Sequence, residues 1–145
     1  MAKTLLDYNA TVVTPITNGI VPPILVPISP AGVQIAGVGV YIDPADPHHF
    51  PNKVELKATI GFDINFDSPN ILVRIWRAGT EIFYALAEFD NFTSDIDAAV
   101  ISLHTVDFNV PAGTQNYQLI VENQDTGSIA YVVGPVVFSA MAIGG

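Results

Sequence analysis

His48 and His49 sit side by side in Asp43-Pro-Ala-Asp-Pro-His-His-Phe-Pro51, with Asp43 and Asp46 just upstream. Imidazole and carboxylate in one loop can hold a divalent cation. Adjacent side chains rarely point the same way, however, and no third histidine is near. Two solvated imidazoles are the plainer reading. His104 lies mid-strand between Leu103 and Thr105 and reads as structural. Asp63, Asp67, Asp90, Asp95 and Asp97 could gather at loops at one end of a sandwich, a ligand set that suits calcium. The Asp-x-Asp-x-Asp-Gly spacing is absent, and Asp95-Ile-Asp97 alone is a weak signal, so solvated loop acids are the default.

Other chemistries find no residues to carry them. There is no Gly-x-Ser-x-Gly, no paired nucleophile and base, and no glycine cradle before a helix. Gly37-Val-Gly39 is followed by a strand pattern and lacks a third glycine. Cysteine is absent, which removes disulfides, thiolate catalysis and cysteine-based metal sites together. Asn9-Ala-Thr11 and Asn91-Phe-Thr93 match the glycosylation sequon, a pattern common by chance. Trp76 and Arg77 flank a turn, where a lone tryptophan is usually core or interface filler. The chain is therefore expected not to be an enzyme and to carry no metal or cofactor.

Charge narrows the partners. Five Lys and Arg stand against fourteen Asp and Glu, for a net charge of −9. Nucleic acid binding needs clustered cations, and anionic lipid repels such a chain, so neither is expected as a partner. Half of the 145 residues are hydrophobic and only 13% are charged. A monomer of this size usually has about 25% charged residues. Other copies of the chain are expected to cover part of the surface. Met1 to Tyr8 does not read as a secretory signal, since its apolar region is two residues long.

The elements that must position any site have a period of two. In Lys53–Phe66 the residues Val54, Leu56, Ala58, Ile60, Phe62 and Ile64 alternate with polar or small ones, which is a half-buried strand. Asn70–Trp76 and Glu81–Phe89 flank a short turn containing Gly79 and read as a hairpin. Gly32–Ile42, Ala99–Val110, Tyr117–Glu122 and the C-terminal run complete seven or eight strands. The expected fold is all-β: a single-domain jelly-roll sandwich. Val132–Ile143 is apolar on both faces, so a second cover is expected there. Val136, Phe138, Ala140 and Ala142 are taken as a subunit interface.

Composition shifts near residue 30. Ile16–Pro30 is apolar and extended in character yet holds four of the eleven prolines. Proline cannot donate to a sheet ladder, so this is a poor central strand. The reading is an extended arm over 1–30, ahead of a sandwich over 31–145. The arm is expected to dock non-covalently onto a neighbouring subunit through Val12, Val13, Ile16, Ile20, Val21 and Ile24. The bland alternative is an edge strand folded back on its own domain.

Asp7-Tyr-Asn-Ala-Thr11, Asn109-Val-Pro-Ala-Gly-Thr114 followed by Tyr117-Gln-Leu-Ile-Val-Glu122, and Val133-Gly-Pro-Val-Val-Phe-Ser-Ala140 resemble small exosporium proteins of Bacillus-type spore formers, of the exosporium protein C kind. The layout also resembles the trimeric jelly rolls of the complement and tumour-necrosis-factor type. These resemblances imply a self-assembling structural subunit of a spore-surface layer or appendage fibre. It would be a homo-oligomer, as a trimer or a head-to-tail filament, with other spore-surface proteins as possible neighbours. The address implied is the exosporium, reached without a secretory signal. The alternative is a trimeric C1q-like head that recognises a surface ligand through its loops. Several spore-appendage subunits carry cross-linking cysteines; this chain has none, so any fibre must be held non-covalently.

Overall fold

Alternation over the long central run sets the architecture. In the computed structural model, which describes residues 3–45, 47, 50–66, 68–89 and 97–145, strand β4 spans Asn52–Phe66. Val54, Leu56, Ala58, Ile60, Phe62 and Ile64 all point into the core. The other strands among the described residues are β1 (Thr4–Thr14), β2 (Ile24–Leu25), β3 (Val33–Ile42), β5 (Asn70–Arg77), β6 (Thr80–Glu88), β7 (Asp97–Phe108), β8 (Gly113–Asn123) and β9 (Ile129–Gly144). The pairings between them are antiparallel.

One sheet has the order β1-β9-β4-β7, with β2 also on β9; the other has the order β3-β8-β5-β6. Apart from β2 and the β5-β6 hairpin, successive strands alternate between the sheets. This winding is that of a jelly-roll sandwich, and the sequence-based expectation of that fold holds. Phe62, Phe138, Tyr117, Leu56, Ile60, Ile71, Ile75 and Leu119 fill the space between the sheets. The β5-β6 hairpin closes through Ala78 and Gly79, both at positive φ, between the paired Arg77 and Thr80. A two-residue turn of this hand matches the twist of its strands.

Between β4 and β9 the backbones touch. A Cβ on Gly61 would lie 1.9 Å from the Gly134 carbonyl oxygen. Gly134 itself has φ +99°, a conformation that favours glycine. Register shifts between Ile60 and Phe62 mark the same spot.

The expected division at residue 30 needs correction. Residues 4–14 are not a separate arm: β1 pairs with β9 from Thr4↔Gly144 to Thr14↔Val136, as an edge strand of the chain's own sheet. Its inward side chains then bind the free edge of β3. Asp7 Oδ2 accepts from the Tyr41 N–H at 2.8 Å, Asn9 Nδ2 donates to the Gly39 carbonyl at 3.1 Å, and Thr11 Oγ1 donates to the Gly37 carbonyl at 2.5 Å. Three alternate side chains thus occupy an edge that would otherwise be open to another strand.

The proline-rich stretch spans the end of the sandwich. The Val26 N–H donates to the Ala130 carbonyl at 2.9 Å in one sheet. In the other, the Ser29 N–H donates to the Asn123 carbonyl and the Asn123 N–H to the Pro27 carbonyl, each at 2.8 Å. Val26 is buried and plugs the core. The prolines suit a segment that leaves one ladder and joins another, because it needs few donors of its own.

Candidate assembly face

Strand register defines what the outer face of the first sheet presents. Residues directly opposite one another share a face, so each row reads across β1, β9, β4 and β7. The first row is Leu5, Ile143, Lys53 and Phe108. The second is Tyr8, Met141, Glu55 and Val106; the third is Ala10, Ser139, Lys57 and His104; the fourth is Val12, Val137, Thr59 and Ser102. Thr59 Oγ1 and Ser102 Oγ lie 3.3 Å apart.

On this outward face β1 and β9 are mostly apolar, β4 presents Lys53, Glu55, Lys57 and Thr59, and β7 adds Phe108 and Val106 at one end. Phe108 is 67% exposed, Leu5 61%, Tyr8 57% and Val12 54%. Val137, Met141 and Ile143 on β9 are only half-buried. The charges of this face, Lys53, Glu55 and Lys57, are of both signs and gathered on β4. A dimple of about 120 Å³ is lined by Tyr8, Glu55, Lys57, Ser139 and Met141, which puts a carboxylate and an ammonium beside a phenol at the middle of the patch.

The residues expected at a subunit interface are elsewhere. Val136, Phe138, Ala140 and Ala142 are fully buried between the chain's own sheets. They alternate with Val137, Ser139, Met141 and Ile143, and it is this second set that faces outward. The dry character of β9 is real, but its inward half is intrachain core. Of the residues assigned to the arm, Val12, Val13, Ile16 and Val21 are exposed, Val21 to 85%. Ile20 and Ile24 pack against the core instead. His104 is exposed on the outer face, opposite Lys57.

No family model matches the chain, and no curated protein matches it. Solved structures do. A carbohydrate-binding module CBM36 in complex with calcium and xylotriose aligns over 95% of this chain and 98% of its own, at 14% identity and TM-score 0.41. The Eiger TNF of S. frugiperda aligns over 83% of this chain and 92% of its own, at 13% identity and TM-score 0.42. The dimeric latent PorU of Porphyromonas gingivalis aligns over 75% of this chain, at 10% identity and TM-score 0.39; the chain spans about a tenth of that protein.

The remaining candidate chemistry is thin. Among the described residues no group of three or more His, Cys, Asp or Glu is placed to hold a metal ion. Asp46, His48, His49, Asp67, Asp90 and Asp95 lie outside the described residues, as does the Asp97 side chain. Asp43 Oδ1 accepts the Ala45 N–H at 2.9 Å, a local turn contact. Asp63 Oδ1 is buried without a hydrogen-bond partner.

Sequence reasoning missed a second polar cluster that ties the sheets together. Tyr117 Oη donates to Asp107 Oδ2 at 2.9 Å, and Arg77 Nη1 pairs with the same carboxylate. Asp107 belongs to β7 and the other two to β8 and β5, so the cluster bridges the sandwich at one end. Burial first, and the Asp107 charge second, push the Tyr117 phenol above its ordinary value.

Proposed function

We propose that the chain is a structural subunit that associates with copies of itself through the outer face of the β1-β9-β4-β7 sheet. The observation that carries this reading is the exposed apolar strip of Leu5, Tyr8, Val12 and the outward half of β9, with Phe108 beyond the polar column of β4. Exposed apolar patches rimmed by polar residues mark interaction surfaces. Four strands at about 4.8 Å spacing and ten residues at about 3.4 Å each span roughly 650 Å², near the ~800 Å² that each partner buries in a stable interface. Glu55 and Lys57 at its centre let one copy's carboxylate meet another's ammonium, which fixes register between copies.

The finer reading follows the resemblances. A closed trimer is the arrangement implied by the complement and tumour-necrosis-factor type of layout. The exposed Ile16 and Val21 at the end of the sandwich offer a second, head-to-tail contact, and such contacts need not close. The resemblance of the short motifs to exosporium proteins implies a spore-surface layer or fibre as the destination.

Sedimentation velocity tests the central claim. The natural chain is expected to run as a discrete oligomer, and Tyr8→Lys/Val12→Lys as a monomer with unchanged circular dichroism. A natural chain that stays monomeric at the highest attainable concentration overturns the proposal. Negative-stain microscopy separates particles from filaments, and immunogold labelling of spores tests the address.

A further inference from the structure

The opposite face of the sandwich carries a groove that assembly does not use. Two cavities, of about 540 Å³ and about 510 Å³, adjoin on the outer side of β3, β8 and β5 and share Gln34. Each falls in the size range of small-ligand sites. The first is lined by the carboxamides of Asn9, Gln34, Asn116 and Gln118 together with Thr11. The second adds Trp76, which lies directly across the ladder from Gln118.

We infer that this groove binds a neutral oligosaccharide. A carboxamide offers donors and an acceptor in one plane, which matches neighbouring sugar hydroxyls that both donate and accept. Gln34 and Gln118 are held in place before any ligand arrives. Gln118 Nε2 donates to Gln34 Oε1 at 3.0 Å, and Gln34 Nε2 donates to the Ala36 carbonyl at 3.3 Å. Such preorganisation lowers the ordering cost of binding. Glycines let neighbouring side chains settle onto the backbone: a Cβ on Gly39 would lie 2.8 Å from Asn116 Oδ1, and one on Gly32 2.8 Å from Ile120 Cγ2. The half-buried indole of Trp76 supplies an apolar flank for the C–H face of a sugar ring. Its Nε1 is buried, so the ring would meet a ligand through its apolar surface.

Other ligand classes fit poorly. The cation of the groove, Arg74, is already held by Glu122 and by Glu81, the latter at 2.7 Å, so an anion finds no free partner. An apolar ligand would strand the amides without hydrogen bonds. A peptide adding as a strand needs an open sheet edge. The adjacent edge of β3 is taken by Asp7, Asn9 and Thr11.

Trp76 is the chain's sole tryptophan, so its fluorescence reports on the groove alone. The experiment titrates the full chain with the neutral tetrasaccharides cellotetraose, xylotetraose and chitotetraose, and with tetragalacturonate as the anionic control. At least one neutral tetrasaccharide is expected to shift the emission saturably. Asn116→Ala/Gln118→Ala is expected to weaken that binding at least tenfold while keeping the natural thermal midpoint. Heteronuclear NMR of the Asn and Gln side-chain amides repeats the titration without relying on the indole. No response to any neutral probe by either readout overturns the proposal. So does tighter binding of tetragalacturonate, or unchanged affinity in the double variant. Repeating the titration on Tyr8→Lys/Val12→Lys, whose substituted side chains point to the other face, separates binding from assembly.

Discussion

Two single positions concentrate the energetics. At Gly61 an added methyl would run into the Gly134 carbonyl oxygen, and neither backbone can move without breaking the β4-β9 ladder. Gly61→Ala is therefore expected to cost about 2–3 kcal/mol in urea unfolding, as overpacking does. Gly127→Ala is the control. Its Cβ would meet only Asp125 Oδ1 at 3.6 Å, so its effect should stay within about 0.5 kcal/mol. At Tyr117 the folded chain holds the phenolic proton more tightly than the unfolded chain does. The stability this contributes is complete below the ordinary phenol value near 10 and drains away as pH rises above it. Urea midpoints taken through that range should fall more steeply for the natural chain than for Tyr117→Phe. At neutral pH the same variant should lose about 1–2 kcal/mol with its bond to Asp107. Neither position announces itself in the sequence. Asp107 and Tyr117 are ten residues apart with a turn between them, and only the sandwich brings them together.

At the scale of elements, strands were legible wherever one face is wet and the other dry. β4, the β5-β6 hairpin and β8 all have that pattern, and the period of two locates them. β1 was not legible as part of the domain, for a physical reason. Its inward residues are Asp7, Asn9 and Thr11, which face the backbone edge of β3 rather than core. An alternating run of short hydrogen-bonding side chains is the signal for such a strand, and it is a weak one. β9 failed differently. Both its faces are apolar, so period two could not say which half points inward; Ser139 among the outward residues was the one polar hint. The edge contacts of β1 make a prediction of their own. Asp7→Ala/Asn9→Ala/Thr11→Ala should destabilise the chain by about 2–4 kcal/mol, at roughly 1 kcal/mol for each hydrogen bond. Hydrogen exchange should then accelerate at Tyr41. Removing β1 altogether is a different perturbation. It would bare the long edge of β9, and the expected result is disordered aggregation, not clean disassembly.

For the whole molecule, the two sheets present different outer faces. One carries the apolar strip of β1 and β9 and the other the amide-lined groove, so association through the first would leave the second open. An oligomer would then display several grooves, and weak individual sugar contacts would add through avidity. The same pairing that completes the first sheet also sets a schedule for folding. The most N-terminal strand finds its ladder partner only in the most C-terminal one, across a separation of more than a hundred residues. Contacts that distant form late, after the loop they close has been paid for in entropy. On a ribosome, β1 must therefore wait until β9 has emerged. Half of the assembly face is made by these two strands, so a nascent chain has no finished surface with which to capture its neighbours. If copies do associate through this face, they would become adhesive only when synthesis of both strands is complete, and assembly would begin away from the site of translation.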